Sequence, residues 1–341
     1  MKILEYYRLA AQNKARRFYL TSGTRPYLQT DMGILPMNEK SLVPSEVYSL
    51  MDEFLEPNLK EQLLTGLDIH TYLQADENFS LRIAIFRQRG SLALSVKIIE
   101  SKVKAIEQCS IPKRCYESLL KRPSGLVLIG GSRDSGKSTT ARALVDLLVR
   151  RQSLHVICYE KITESDFSHY PSSLISRRVL GVDVPDLRDS ARMITREDID
   201  VFYLEDVEDA KSFQLALELA SRGVLVLATA VSSSVHNLFE RVFHTYSNDQ
   251  YSREILARHL IGVTHQTRLY SSFHEQNFVI FECFTNYPSI KRHIRDGQIF
   301  PLINFMKQSG KPDCLTYHRG YEDLVANDVL RWDEVPDEYR G

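Results

Sequence analysis

"GLVLIGGSRDSGKSTT", residues 125–140, decides how the rest of the chain is read. An apolar run ends at paired glycines, and Gly136, Lys137 and Ser138 then open a stretch of helical composition, "STTARALVDLLVR". The spacing Gly131-x-x-x-x-Gly136-Lys137-Ser138 is that of a phosphate-binding loop set between a strand and a helix. Glycines let successive backbone N–H groups converge on an anion, and the helix N-terminus adds partial positive charge. Lys137 offers a point charge to the β- and γ-phosphates, and Ser138 a hydroxyl to Mg2+. The expected ATP contacts are Gly131, Ser132, Arg133, Asp134, Ser135, Gly136, Lys137, Ser138 and Thr139. Asp134 is the odd member. A carboxylate about 7 Å from one phosphate charge costs about 2 kcal/mol at an effective dielectric of about 20. Turned outward, or paired with Arg133, it costs less, and aspartate is among the better non-glycine residues where φ must be positive.

From Leu126 onward, β-branched runs alternate with helical segments: "LVLIG", "STTARALVDLLVR", "HVICYE", "VFYLE", "SFQLALELASRG" and "VLVLATAV". That alternation predicts a parallel sheet buried on both faces. After Ser232 the composition turns helical, with a hairpin at "RLYSSFHEQNFVIFECF". Residues 1–100 read instead as a small α+β domain, with a helix from Ile3, strands at "RRFYLTS" and "RPYLQTD", and helices at "SEVYSLMDEFL" and "NLKEQLLTGL". In "SLRIAIFRQRG", Leu81, Ile83 and Ile85 share one face and Arg82 the other; across Gly90, "SLALSVKII" repeats the pattern with Lys97 outward. Residues 101–120 are polar and read as a linker carrying a helix around Cys115 to Leu120, which leaves 121–341 as the second domain, more helical from about residue 246.

The 341 residues are enough for two or three cores, and 43% apolar with 26% charged residues is ordinary for a water-soluble chain. A net charge of −1 argues against bulk electrostatic binding of nucleic acid, so no nucleic-acid partner is expected. Glu5 and Arg8 interrupt any secretion signal, and the longest strongly apolar run, Val224 to Val231, has strand length. A cytoplasmic protein is expected. Five scattered cysteines without a C-x-x-C read as reduced, packed thiols, and no structural zinc is expected.

With these motifs in order, the chain resembles the type IV pilus retraction ATPases (PilT/PilU-like) of the hexameric secretion-ATPase superfamily. The family's phosphate loop has glycine where Asp134 stands. Its acidic box resembles "HVICYEKITE": Glu160 and Glu164 match its two glutamates, while Lys161 replaces an aspartate. Its Walker B region resembles "REDIDVFYLEDVEDAKSFQLALELASRGVLVLATAVSSS". There Asp206 takes the place of the catalytic glutamate, Glu205 that of a glycine, Glu208 that of an arginine, and Val231 that of a histidine. "RIAIFRQRG" resembles the strand whose arginines reach nucleotide, and "SIKRHIRD", Ser289 to Asp296, a C-terminal amphipathic motif. Extension and type II secretion relatives generally carry a further N-terminal domain and often a tetracysteine zinc motif, so the retraction branch is the expectation.

The resemblance implies a PAS-like α+β domain followed by a RecA-like ATPase domain. It also implies a homo-hexamer that retracts pili by ATP hydrolysis, peripheral to the inner membrane through a platform protein. The departures leave a second reading open, a weakly hydrolysing subunit that works with an active paralogous retraction ATPase. Glu164 is the expected water-activating base, with Glu160 in support. Because strand side chains alternate, only one of Glu205 and Asp206 can face the site; alignment favours Asp206 for the Mg2+ shell. Arg82, Arg89, Lys97, Arg178 and Arg192 are the candidate phosphate-contacting cations. For the segment around Ile290 and Ile294, core packing and platform docking are both open. A small-molecule kinase would need a lid and substrate pocket, and neither is recognisable.

Overall fold

The computed structural model describes residues 2–37, 40–161, 166–167, 170–187, 190–246, 249–308, 310–311 and 314–340. They fall into two compact units, the first ending in the main at Lys102 and the second beginning at Val103.

In the first unit, α1 (Lys2–Gln12) precedes β1 (Arg17–Thr21), β2 (Tyr27–Thr30) and β3 (Gly33–Pro36). Next come α2 (Pro44–Asp52), α3 (Pro57–Leu64), β4 (Ile69–Gln74), β5 (Phe79–Gln88) and β6 (Ser91–Glu100). The antiparallel sheet runs β3-β2-β1-β6-β5-β4. The alternation read in β5 and β6 appears as burial: Leu81, Ile83, Ile85, Leu92, Leu94 and Val96 form the core, with Ile3, Val47 and Leu50 of the helices packed on them. β4 was not foreseen. In "IHTYLQ" only Ile69 is fully buried, so the strand carries almost no period-2 signal.

The second unit starts with α4 (Lys113–Leu119), inside the stretch expected to be a linker; its Cys115, Tyr116 and Leu119 are buried. It continues with β7 (Gly125–Gly131), α5 (Lys137–Arg151), β8 (His155–Glu160), β9 (Leu174–Val179), α6 (Ser190–Thr195) and β10 (Val201–Leu204). Then follow α7 (Ala210–Ser221), β11 (Leu225–Val231), α8 (Val235–Arg241), α9 (Gln250–His259), β12 (Leu260–Ser271) and β13 (Gln276–Thr285). The chain ends in α10 (Pro288–Arg295), α11 (Ile299–Gln308), α12 (Tyr317–Ala326) and short turns. The sheet order is β13-β12-β7-β11-β10-β8-β9, parallel from β12 to β9, with β13 antiparallel at the edge. All seven residues of β7 are buried, as the continuous apolar run requires of a central strand. The fold is thus the expected mixed α/β, an α+β sheet unit followed by a parallel-sheet unit. The hairpin begins earlier than expected, because the first seven residues of β12, Leu260 to Gln266, run beside β7 in the parallel sheet.

One cysteine expectation is corrected. Cys115 and Cys283, 168 residues apart, are joined as a disulfide with Cα atoms 6.5 Å apart. Packing of α4 against β12 and β13 brings them together, which no sequence spacing announces. Cys109, Cys158 and Cys314 remain thiols, all buried. Among the described residues, no helix is long and apolar enough to cross a membrane.

The tip of the β12–β13 hairpin is tied down by Glu334. Its carboxylate accepts from the hydroxyls of Ser271 (2.9 Å) and Ser272 (3.1 Å) and from the amides of Phe273 (3.1 Å) and Arg331 (3.1 Å). Burial alone would raise its pKa, but these donors outweigh it and hold the carboxyl down to about 2. A folded pKa below the unfolded value of 4.5 means a contribution present above pH 4.5 and lost as pH falls towards 2. Glu334→Gln is expected to lower the thermal midpoint at pH 7 and to shrink the fall in midpoint across that window. Circular-dichroism melts at stepped pH check this; parallel curves for both proteins would contradict it.

Candidate functional site

The C-terminal edge of the parallel sheet gathers the chemistry. β7 leaves the sheet at Gly131, whose φ is 153°; a Cβ there would lie 2.4 Å from the Gln266 carbonyl oxygen and 2.5 Å from Ser135 Oγ. Only glycine permits that approach. The loop turns through Asp134 at φ 58° and enters α5 from Gly136 at φ 94°. Asp134 therefore occupies the left-handed region that aspartate tolerates better than most residues, and it is exposed together with Ser132 and Arg133. Lys137 is buried, and its ammonium donates to the Ser132 carbonyl at 2.7 Å. The loop thereby holds its own cation inside its curve.

Ser138 Oγ donates to Glu205 Oε1 at 2.7 Å, and the Lys161 amide donates to Glu205 Oε2 at 3.0 Å. Only one of the two adjacent acids faces the loop, but both lie beyond the last residue of β10, Leu204, so strand alternation is not what selects it. The acid is Glu205 rather than Asp206, the residue that alignment favoured. Asp206 adopts φ 62°, its amide donates to Thr229 Oγ1 at 2.7 Å, and its carboxylate accepts from Lys161 Nζ at 2.8 Å. The physical cause is local: β10 ends at Leu204, and the left-handed turn at Asp206 carries its side chain away from Ser138. Lys161 also binds Glu208. Burial works against the Lys161 ammonium, but the two carboxylates outweigh it and hold its pKa above the usual value.

Behind Glu205 lies an ion-pair chain that the sequence reading missed. Glu160 is fully buried between Arg142 Nε and Arg177 Nε, each at 2.7 Å, and Arg142 Nη2 stands 3.5 Å from Glu205 Oε1. Two carboxylates and two guanidiniums balance in charge, which is what allows all four to leave water. Glu160 is thus fully engaged and acts through Arg142. The thiol of Cys158, two residues before it, is pushed well up by burial and is inert. Arg142 sits one helical turn after Ser138, so its place on α5 was readable, but its burial was not.

Other expected residues lie elsewhere. Arg178 pairs with Glu197 at 2.6 Å, and Arg192 is exposed on α6. Arg82 and Lys97 face each other across β5 and β6, and Arg89 sits in the turn at φ 50°; all three belong to the first unit. Glu164 lies outside the described residues. In α10, Ile290 and Ile294 are core residues, while Arg295 pairs with Glu254. From β12, His265 and Gln266 reach the phosphate loop. His265 is buried against Gly130 and Ser232 O, and burial lowers its pKa to about 4, so it is neutral near pH 7.

A loop of this geometry, a buried lysine and a serine–carboxylate pair at a strand edge bring together the donors and charge that a phosphate group needs. The family described as Type II/IV secretion system protein matches residues 73–283. The chain belongs to this family. It is similar to type IV pilus retraction ATPases, as the sequence resemblance implied. Escherichia coli K12 YggR is 29% identical over 287 residues, 84% of this chain and 87% of that protein. The type IV pilus retraction ATPase PilT of Pseudomonas aeruginosa is 24% identical over 339 residues, 97% of this chain and 96% of its own. A crystal structure of the pilus retraction motor PilT with bound ADP superposes with a TM-score of 0.83 at 23% identity, covering 99% of this chain and 98% of that one. This secretion ATPase family member therefore shares that fold along nearly its whole length.

Removing Glu160 takes the shared carboxylate away from the buried Arg142 and the partly buried Arg177. Glu160→Leu is expected to cost about 3–5 kcal/mol of stability, read as a lower urea midpoint. An unchanged midpoint would show that the chain of charges is not closed.

Proposed function

We propose that this chain is a cytoplasmic P-loop ATPase that assembles as a hexamer and powers type IV pilus retraction through a membrane platform protein. The observation that carries the reading is the convergence of Lys137, Ser138 and Glu205 at the mouth of the loop. The residues fit a Mg2+–nucleotide. Without a Cβ, Gly131 and Gly136 let the loop close against Gln266, and Ser135 Oγ is buried with no hydrogen-bond partner among the described residues. Lys137 exchanges the Ser132 carbonyl for phosphate oxygen, and Ser138 with Glu205 supplies the oxygens for the metal, whose charge would offset that developing on the γ-phosphate. Arg142 keeps Glu205 oriented, Glu160 keeps Arg142 oriented, and Glu164 is the base assigned to the attacking water. The platform would meet the basic side of α10, whose apolar side is already used by the core.

The departures from the family pattern are linked. Lys161, Asp206 and Glu208 stand for an aspartate, a glutamate and an arginine; Lys161 binds both acids, and the formal sum is one negative charge in either set. A concerted exchange of this kind supports a working site. The same cluster also gives the second reading its one specific support, because Asp206 is held by Lys161 and not by Ser138. On that reading the chain binds nucleotide, hydrolyses it weakly and assists an active paralogue.

Two measurements test these readings. In Mg2+–ATP titrations, Glu205→Gln is expected to weaken binding about tenfold and Asp206→Asn less than about threefold; the reverse order would return the metal to Asp206. In turnover assays with Lys137→Ala as the blank, Asp134→Gly is expected to raise activity about tenfold by removing a carboxylate near the phosphates. Activity at the blank level in both wild type and Asp134→Gly would leave the accessory subunit as the function.

A further inference from the structure

The phosphate loop rests at both ends on a single residue of the neighbouring strand. Gln266 is paired with Gly131 in the β7–β12 ladder, and its carbonyl oxygen lies where a Gly131 Cβ would have to go. Its side chain reaches the far end of the loop, where Nε2 donates to the Ser135 carbonyl at 2.6 Å. The assignment of the amide is forced, since only the nitrogen can face a carbonyl. Gln266 is 1% exposed, and its Oε1 has no hydrogen-bond partner among the described residues. The polar group is thus buried for the sake of one directed bond, which is costly unless the bond is used.

The consequence follows from peptide planarity. In a trans peptide the C=O and the N–H of the next residue point in opposite directions. Holding the Ser135 oxygen outward on Gln266 aims the Gly136 N–H inward, at the cradle from which α5 begins. Gly136 at φ 94° has no side chain to hold that plane, so the plane is set from outside.

We propose that Gln266 is a positioning residue for phosphate binding, a clamp that presets the Ser135–Gly136 peptide so that the Gly136 amide meets the anion. The inference rests on the nucleotide reading above and deepens it. A preset donor lowers the ordering cost of binding and acts equally on bound substrate and transition state. Its signature is therefore a change in affinity rather than in the chemical step.

The test uses the full chain, with wild type, Gln266→Met, which keeps length and volume but has no donor, and Gln266→Asn, which withdraws the amide by one methylene. Fluorescent ADP with Mg2+ is titrated, unfolding midpoints are taken without nucleotide, and KM and kcat for ATP are measured. The expected result is folded variants whose ADP affinity falls about 10- to 100-fold for Met. KM should rise in parallel, while kcat stays within about threefold. Should Gln266→Met fail to fold, Gln266→Asn carries the same expectation at about fivefold or more. Folded variants that bind ADP within about twofold of wild type overturn the clamp, as does a loss confined to kcat. A wild type that binds no ADP overturns the nucleotide reading itself, so the two failures are told apart.

Discussion

The close approach of β7 and β12 at Gly131 is the constraint on which the site depends. Backbone amides bind an anion well only if they are already aimed at it, because aiming several peptide planes at once is expensive in conformational entropy. Here the aiming is built into the sheet. A glycine lets the Gln266 backbone sit against the start of the loop, a glutamine side chain holds its end, and Lys137 bonds Ser132 from within. Asp134 enters this loop at a backbone angle that glycine would adopt without cost and aspartate adopts at a small one, with its side chain exposed. The loop keeps its shape despite the carboxylate.

A second constraint is charge balance beneath the sheet edge. Glu205 can face Ser138 as an anion because Arg142 stands behind it, and Arg142 can be buried because Glu160 neutralises it. Arg177 from β9 closes the series. The parallel sheet and the helix α5 packed on it bring together residues that are far apart in the chain, here 142, 160, 177 and 205. The surface cluster of Lys161, Asp206 and Glu208 follows the same rule with less burial.

Legibility in the sequence followed the strength of the local signal. β7 and α5 were plain, because a fully buried strand reads as an apolar run and the loop between them has fixed glycine spacing. β5 and β6 were plain because one face is buried and the other is not. β4 and β9 were not read: each is half-exposed along most of its length, so neither alternation nor a continuous apolar run marks it. The stretch 101–120 looked like a linker because it is polar with two prolines, yet α4 buries Cys115, Tyr116 and Leu119. Composition cannot show that a short helix has a sheet to lie on.

What the sequence determined by itself was the loop, its lysine and serine, the strand before it and the helix after it, and the family to which they belong. These are local facts, set by glycine's freedom, hydrophobic period and fixed spacing. Only the tertiary structure decided that Glu205 rather than Asp206 meets Ser138, that Glu160 is shared by two arginines, and that Gln266 braces the loop. Those outcomes depend on a backbone turn of one residue and on contacts between residues as far as 131 positions apart, which no local pattern encodes.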